Sequence, residues 1–285
     1  MALRPRRAQD VEGAMTGPDG NEEGEETIRQ SSDFVEAVAR GLSILECYSD
    51  PVSVRQRGRL TLTDAGKLTG LTRGTARRLL LTLKELHYLD SDGKHFWLTP
   101  KILGLANGFM TPLGLGDASA AILQELTQRV DESASVGILD EEEIVYIERV
   151  EVRRIYSSRI VNGTRLPAFC SSIGRVLLGG LSDVKLERWL DKYPLRPLTP
   201  HTITDRKAFV AEIGRVRERG YSVIDEELEI GIRSIAVPII GENGRVVAAL
   251  NNSTSTARHS VEDLEQNFLP ELRLAAEKLS RTMNW

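Results

Sequence analysis

Apolar positions first become periodic at Phe34. Phe34, Val35, Val38, Leu42 and Leu45 recur at steps of three and four, the spacing of an amphipathic helix. That helix is expected to end near Tyr48-Ser49-Asp50-Pro51, because proline disfavours helical geometry in the residue before it. Residues 60–89, LTLTDAGKLTGLTRGTARRLLLTLKELHYL, hold two further periodic segments. Thr63 is the expected N-cap of the first, and Gly70 stops it in a left-handed conformation. Gly66 and Gly70 suit a close approach of the two helices. Thr72 caps the second, with Leu71 and Ala76 placed as a hydrophobic staple. Its buried stripe is Ala76, Leu79, Leu80, Leu83 and Leu86; Arg73, Arg77 and Lys84 lie away from it, with Thr75 and Arg78 on the flanks. HYLD and HFWLT then bracket Ser91-Asp92-Gly93-Lys94, a hairpin signal. A helix-turn-helix followed by a hairpin predicts a winged helix, with Lys94 and His95 near the wing tip.

The second half alternates differently. Thr99-Pro100 opens a linker helix, KILGLANGFMTPLG, which fades at Pro112. A helix over 118–131 precedes a hairpin, SVGIL and IVYIERV, turning at Asp140-Glu141-Glu142. IYSSRIV and RLPAFC continue as strands, and helices follow at 172–181, 183–192 and 205–219. SVIDEE, RSIAVPII and VVAALNNS read as strands, with a hairpin at Glu242-Asn243-Gly244. A last helix runs to the C-terminus with a bend at Pro270. The fold class is therefore α+β. Residues 1–32 form a polar, disordered tail, 33–99 a winged helix-turn-helix domain, 100–116 a linker helix, and 117–285 a sheet domain.

Charge sharpens the first half. The chain of 285 residues has a formal net charge of −4. Yet residues 55–84 carry Arg55, Arg57, Arg59, Lys67, Arg73, Arg77, Arg78 and Lys84 against Asp64 alone. A basic exposed face on the second helix of a helix-turn-helix is a footprint for operator DNA. Thr72, Arg73, Thr75, Arg77, Arg78 and Lys94 are the candidate contacts, although Arg78 could equally serve an internal ion pair. A small all-helical interaction domain would leave that face and the hairpin unexplained. No apolar run is long enough to span a membrane and no secretory signal is evident, so a cytoplasmic protein is expected. Two distant cysteines and four scattered histidines offer no metal spacing, and no metal or cofactor is expected.

AFCSSIGRVLLGG, residues 168–180, raises a choice between a nucleophile and a cradle for an acid. Cys170 at a helix start would have a lowered pKa, although such a cysteine is more often a buried small apolar residue. It lacks a histidine nearby in sequence, and the serines lack a nucleophile elbow, so an enzyme is not expected. Free N–H groups at Ser172-Ile173-Gly174, with the positive end of the helix dipole, would instead hold a carboxylate, and Gly174 would let a ligand approach the backbone.

Taken in order, LTDAGKLTGLTRGTARRLLLTL, RLPAFCSSIGRVLLG, GYSVIDEELEIGIRSIAVPI and VVAALNNS resemble the isocitrate-lyase-regulator (IclR) family of bacterial transcription factors. The resemblance covers about 33–283. It implies a winged helix-turn-helix joined to a GAF-like effector domain that binds a small organic acid, and dimers or tetramers on palindromic operators. The wording of SRIVNGTRLPAFCSSIGRVLL is similar to regulators of protocatechuate and 4-hydroxybenzoate catabolism in the β-ketoadipate pathway. The effectors implied are protocatechuate, 4-hydroxybenzoate or β-ketoadipate. The pocket positions implied are Ser158, Leu166, Ser172, Ile173, Gly174, Asp225, Ser234, Asn251 and Ser253. Phe169 and Arg175 replace the histidine and lysine of many members, and an inward Arg175 would still read an acid. Arg159, Arg165 and Arg233 are further cation candidates; Asp225 either accepts a ligand hydroxyl or pairs with Arg233.

Overall fold

The computed structural model describes residue 28 and residues 31–152 and 160–282. Most of the expected tail and of the IYSSRIV strand, with Ser158 and Arg159, lies outside the described residues. The chain divides into two compact units at Gly108/Phe109.

In the first unit, α1 (Glu36–Glu46) is followed by a short 3-10 turn and α2 (Pro51–Arg55). Pro51 does more than end a helix. It occupies the first position of α2, and the Asp50 carboxylate accepts from the Val52 N–H at 2.6 Å. β1 (Leu60–Thr61) leads into α3 (Leu62–Thr69). The cap of α3 is Thr61, not Thr63: Thr61 Oγ1 accepts from the Asp64 N–H, and Asp64 Oδ2 accepts from the Thr61 N–H. This reciprocal box fixes the start two residues earlier than expected. Gly70 ends α3 at φ +71°, and Thr72 caps α4 (Arg73–Glu85) through the Thr75 N–H. A Cβ at Gly66 would lie 3.3 Å from the Leu71 carbonyl, which is the crowding its glycine relieves. β2 (Leu89–Ser91) and β3 (His95–Leu98) form the predicted hairpin, and β1 pairs along the other edge of β3.

Ile44, Leu60, Ala65, Ala76, Leu80, Leu89 and Phe96 make one core beneath α4. Leu86 does not join it. Helix α4 stops at Glu85, and Leu86 is half exposed at the C-cap. α5 (Lys101–Met110) follows and buries none of its side chains.

The second unit is a six-stranded antiparallel sheet between two helical layers. Its strands are β4 (Ala134–Asp140), β5 (Glu143–Val150), β6 (Arg165–Pro167), β7 (Ser222–Asp225), β8 (Ile232–Ile240) and β9 (Val246–Ser255), ordered β6-β5-β4-β9-β8-β7. RLPAFC is strand only to Pro167; residues Ala168–Cys170 wind into a 3-10 turn. One face packs on α6 (Asp117–Val130) and α11 (Leu269–Thr282) through Leu123, Leu126, Val136, Val237, Leu250 and Leu272. A short α10 (Val261–Asp263) and a π-helical turn, Leu264–Phe268, precede α11, and the irregularity sits just before Pro270, which has no N–H to give. The opposite face packs on α7 (Ser172–Gly179), α8 (Asp183–Lys192) and α9 (Arg206–Arg219) through Ile144, Phe169, Ile173, Leu178, Trp189, Phe209 and Ala249. Trp189 Nε1 donates to the Glu141 carbonyl at 2.7 Å, tying α8 to the β4–β5 turn. Among the described residues no helix is long and apolar enough to cross a membrane.

Candidate DNA interface and ligand site

Helix α4 presents Thr72, Arg73, Arg77 and Arg78 to solvent, with Thr75 half-buried beside them. None of the three arginines has an ion-pair partner among the described residues, Arg78 included; the described salt bridges of this unit involve Arg40, Arg59 and His95. A row of uncompensated guanidiniums on a capped, buried-stripe helix can meet phosphates and guanine edges. Lys94 sits on the exposed wing turn, which Asp92 organises. The Asp92 carboxylate accepts from the Lys94 N–H at 2.9 Å and the His95 N–H at 2.7 Å, and it contacts His95 Nδ1 and Arg59 Nη1. These donors hold its carboxyl well below the usual carboxylate range. Arg59 also lies over the Trp97 ring at 4.4 Å, which ties it to the wing.

In the second unit, residues 168–178 are buried throughout. Cys170 is fully buried, and burial pushes its thiol up to about 12, the reverse of the lowered value expected at a helix start. Ser171 Oγ caps α7 by accepting the Gly174 N–H, which removes that donor from any ligand. Gly174 does not open the backbone to a ligand. A Cβ there would overlap the Ala168 carbonyl, so the glycine serves the packing of the 3-10 turn against α7. Ile173 is likewise packed inward, against Gly137. Ser172 remains polar and points at the sheet, where Asn251 Nδ2 lies 3.5 Å from its Oγ and 3.2 Å from Ser253 Oγ.

The three arginine candidates among the described residues are already paired. Arg175 is buried; its Nε donates to the Phe169 carbonyl and its Nη2 to Glu227 Oε2. Arg165 pairs with Asp140 and Glu143, and Arg233 with Asp225 at 2.7 Å. Asp225 therefore has a cation partner within the fold. Ser234 faces Ser253 across β8 and β9, on the α7 side of the sheet. Leu166 is a half-buried neighbour of the same apolar cluster.

One residue of this face escapes a reading of the sequence. Arg149 on β5 pairs in register with Ser135, and Ser135 with Asn251, so the three form a row across β5, β4 and β9. Arg149 Nη1 donates to Ser135 Oγ at 2.8 Å, while its Nε is enclosed without an acceptor among the described residues. The Tyr146 phenol, beside Asn251, is raised to about 12 by burial and stays a neutral donor. Strict alternation along IVYIERV sets Tyr146 and Arg149 on opposite faces. A bulge between Val136 and Gly137 brings Glu148 opposite Val136 and Tyr146 opposite Gly137, and the extra residue returns Arg149 to the Tyr146 face.

Comparison with known proteins agrees with both units. Residues 37–93 match the IclR helix-turn-helix domain and residues 109–281 the bacterial transcriptional regulator IclR C-terminal domain. The chain is 38% identical over 256 residues to the Pca operon regulatory protein of Acinetobacter baylyi, spanning 88% of this chain and 90% of that protein. It is 36% identical to the p-hydroxybenzoate hydroxylase transcriptional activator of the same organism over 260 residues, 89% of this chain and 93% of that one. A solved transcriptional regulator from Rhodococcus sp. RHA1 superposes with a TM-score of 0.76 at 45% identity, over 88% of this chain and 98% of the other. With both of its units matched, and with relatives spanning nearly nine-tenths of its length, the chain belongs to the IclR family of bacterial transcriptional regulators.

Proposed function

We propose that this protein is a ligand-responsive regulator of aromatic-acid catabolism, binding a palindromic operator through α4 and a small aromatic acid on the α7 face of the sheet. The observation that carries the sensing half is the band of polar groups, Ser135, Tyr146, Ser172, Ser234, Asn251 and Ser253, set into a face otherwise lined by Ile144, Phe169, Ile173 and Ala249. An apolar site with a few convergent polar groups is the pattern of a small-molecule pocket. The pathway reading draws support from relatives named for the Pca operon and p-hydroxybenzoate hydroxylase.

The partner set on this reading is double-stranded operator DNA, the acid and a second copy of the chain. Val35 at the N-cap of α1 with Val38 and Leu42 on it, and Leu103, Leu105 and Phe109 on α5, leave apolar stripes in solvent, each residue between 44% and 63% exposed. Two-fold pairing through such stripes would present two α4 helices to two half-sites. Thermal-shift measurements with 4-hydroxybenzoate, protocatechuate and β-ketoadipate test the sensing claim. At least one acid is expected to raise the melting temperature of the second unit's transition; no shift with any of them would end the aromatic-acid reading.

A further inference from the structure

We infer that Arg149 is the residue that grips the effector's carboxylate, so that the site selects an organic acid over its uncharged analogue. This rests on the proposed sensing role of the α7 face and names the chemistry within it.

Three features of the structure lead there. First, Arg149 differs from the other partly or fully buried arginines among the described residues of its unit. Arg175, Arg233 and Arg219 each have a carboxylate in ion-pair contact, with Glu227, Asp225 and Glu212 respectively. Arg149 has none among the described residues. Among the described residues, the Tyr146 phenol and the exposed Glu151 influence it only through space. A guanidinium drawn out of water without a counter-ion is a cost the fold does not need, and burial weakens its hold on its proton.

Second, the free part of the group has a shape. Nη1 is taken by Ser135 Oγ. Nε, and the Nη2 beside it, have no acceptor among the described residues, and the Nε atom is sealed from solvent. That edge is the one that meets a carboxylate with two parallel N–H bonds.

Third, the surroundings supply donors and, among the described residues, no competing anion in contact. Tyr146, Asn251, Ser135, Ser172 and Ser253 lie on the same face, linked by the Asn251 bonds to Ser172 and Ser253. Two strand spacings separate Arg149 from Asn251, about 10 Å. An acid bound at Arg149 can therefore extend its ring toward Asn251 and place a hydroxyl among the serines.

The test uses the full-length protein and two probes, 4-hydroxybenzoate and 4-hydroxybenzamide, by calorimetric titration. The wild type is expected to favour the acid about 10- to 100-fold. Arg149→Met should bring the two probes close to parity, by losing the acid and sparing the amide. Arg149→Lys, which keeps the charge and loses the two-bonded edge, should fall between them. Without ligand, Arg149→Met should melt no lower than wild type, a readout that a structural role would move the other way. Retention of the acid preference in Arg149→Met, or a variant that fails to fold, overturns the assignment. A wild type that binds neither probe overturns instead the sensing role on which it stands.

Discussion

Arg175 Nη2 and Glu227 Oε2 are 2.5 Å apart, with the two side chains 1% and 9% exposed. The pair joins α7 to the loop after β7, and the Ile203 N–H donates to the same carboxylate oxygen. The Thr199 and Thr202 hydroxyls donate to the Glu226 and Glu227 carbonyls. An arginine that stands in the sequence where an acid reader could be is, in the fold, an internal clamp.

Removing one partner of such a pair leaves a buried charge without compensation. Arg175→Met should therefore cost about 3–5 kcal/mol in urea unfolding, whereas Arg175→Met with Glu227→Leu should recover much of the loss. A single variant as stable as wild type would show that the pair does not hold these loops.

Gly174→Ala is expected to destabilise by about 1–3 kcal/mol or more, since its Cβ would overlap the Ala168 backbone. Gly214→Ala on α9, where nothing lies within 4 Å, should instead gain up to about 1 kcal/mol. Equal melting temperatures for the two variants would contradict this account of Gly174.

Glu148 faces the α6 side of the sheet, where its Oε2 is buried without a hydrogen-bond partner among the described residues, and burial raises its carboxyl pKa. The native state thus binds more protons than the unfolded chain between the ordinary glutamate value, about 4.3, and the raised one. The contribution of the neutral form is complete below that ordinary value and is lost as pH rises through the folded value. Glu148→Gln should then be the more stable protein at pH 7, by about 1–3 kcal/mol, and should converge with wild type below about pH 4. A constant difference across that range would exclude ionisation of Glu148 as its cause.

Arg73→Ala and Arg77→Ala should each weaken operator binding with melting temperature unchanged, because both side chains are exposed and unpaired among the described residues. The logarithmic salt slope should shrink by about one where the lost contact is to phosphate. Operator affinity unchanged in both would remove α4 as the reading helix.

The helix-turn-helix was legible because its punctuation is local: Gly70 and Thr72 act within one turn of where they stand. The β1 strand was not, since two residues, Leu60 and Thr61, carry no period and gain their role only by pairing with β3. The α7 stretch was legible as a helix start, yet its chemistry was misread at Gly174, where the deciding contact comes from the turn before it. Arg149 was hidden for a different reason. Its face is set by a bulge in the pairing with β4, and alternation along β5 alone assigns it to the wrong side.

The central claim is that acid binding and operator binding are coupled, and fluorescence anisotropy of a labelled operator fragment measures it directly. Titration with and without saturating 4-hydroxybenzoate should give dissociation constants differing by about 5- to 150-fold, in either direction. Arg149→Met should bind the operator as the ligand-free wild type does and show no response to the acid. Identical wild-type constants with the acid demonstrably bound would contradict the account, since the sheet unit would then hold a ligand without regulating anything.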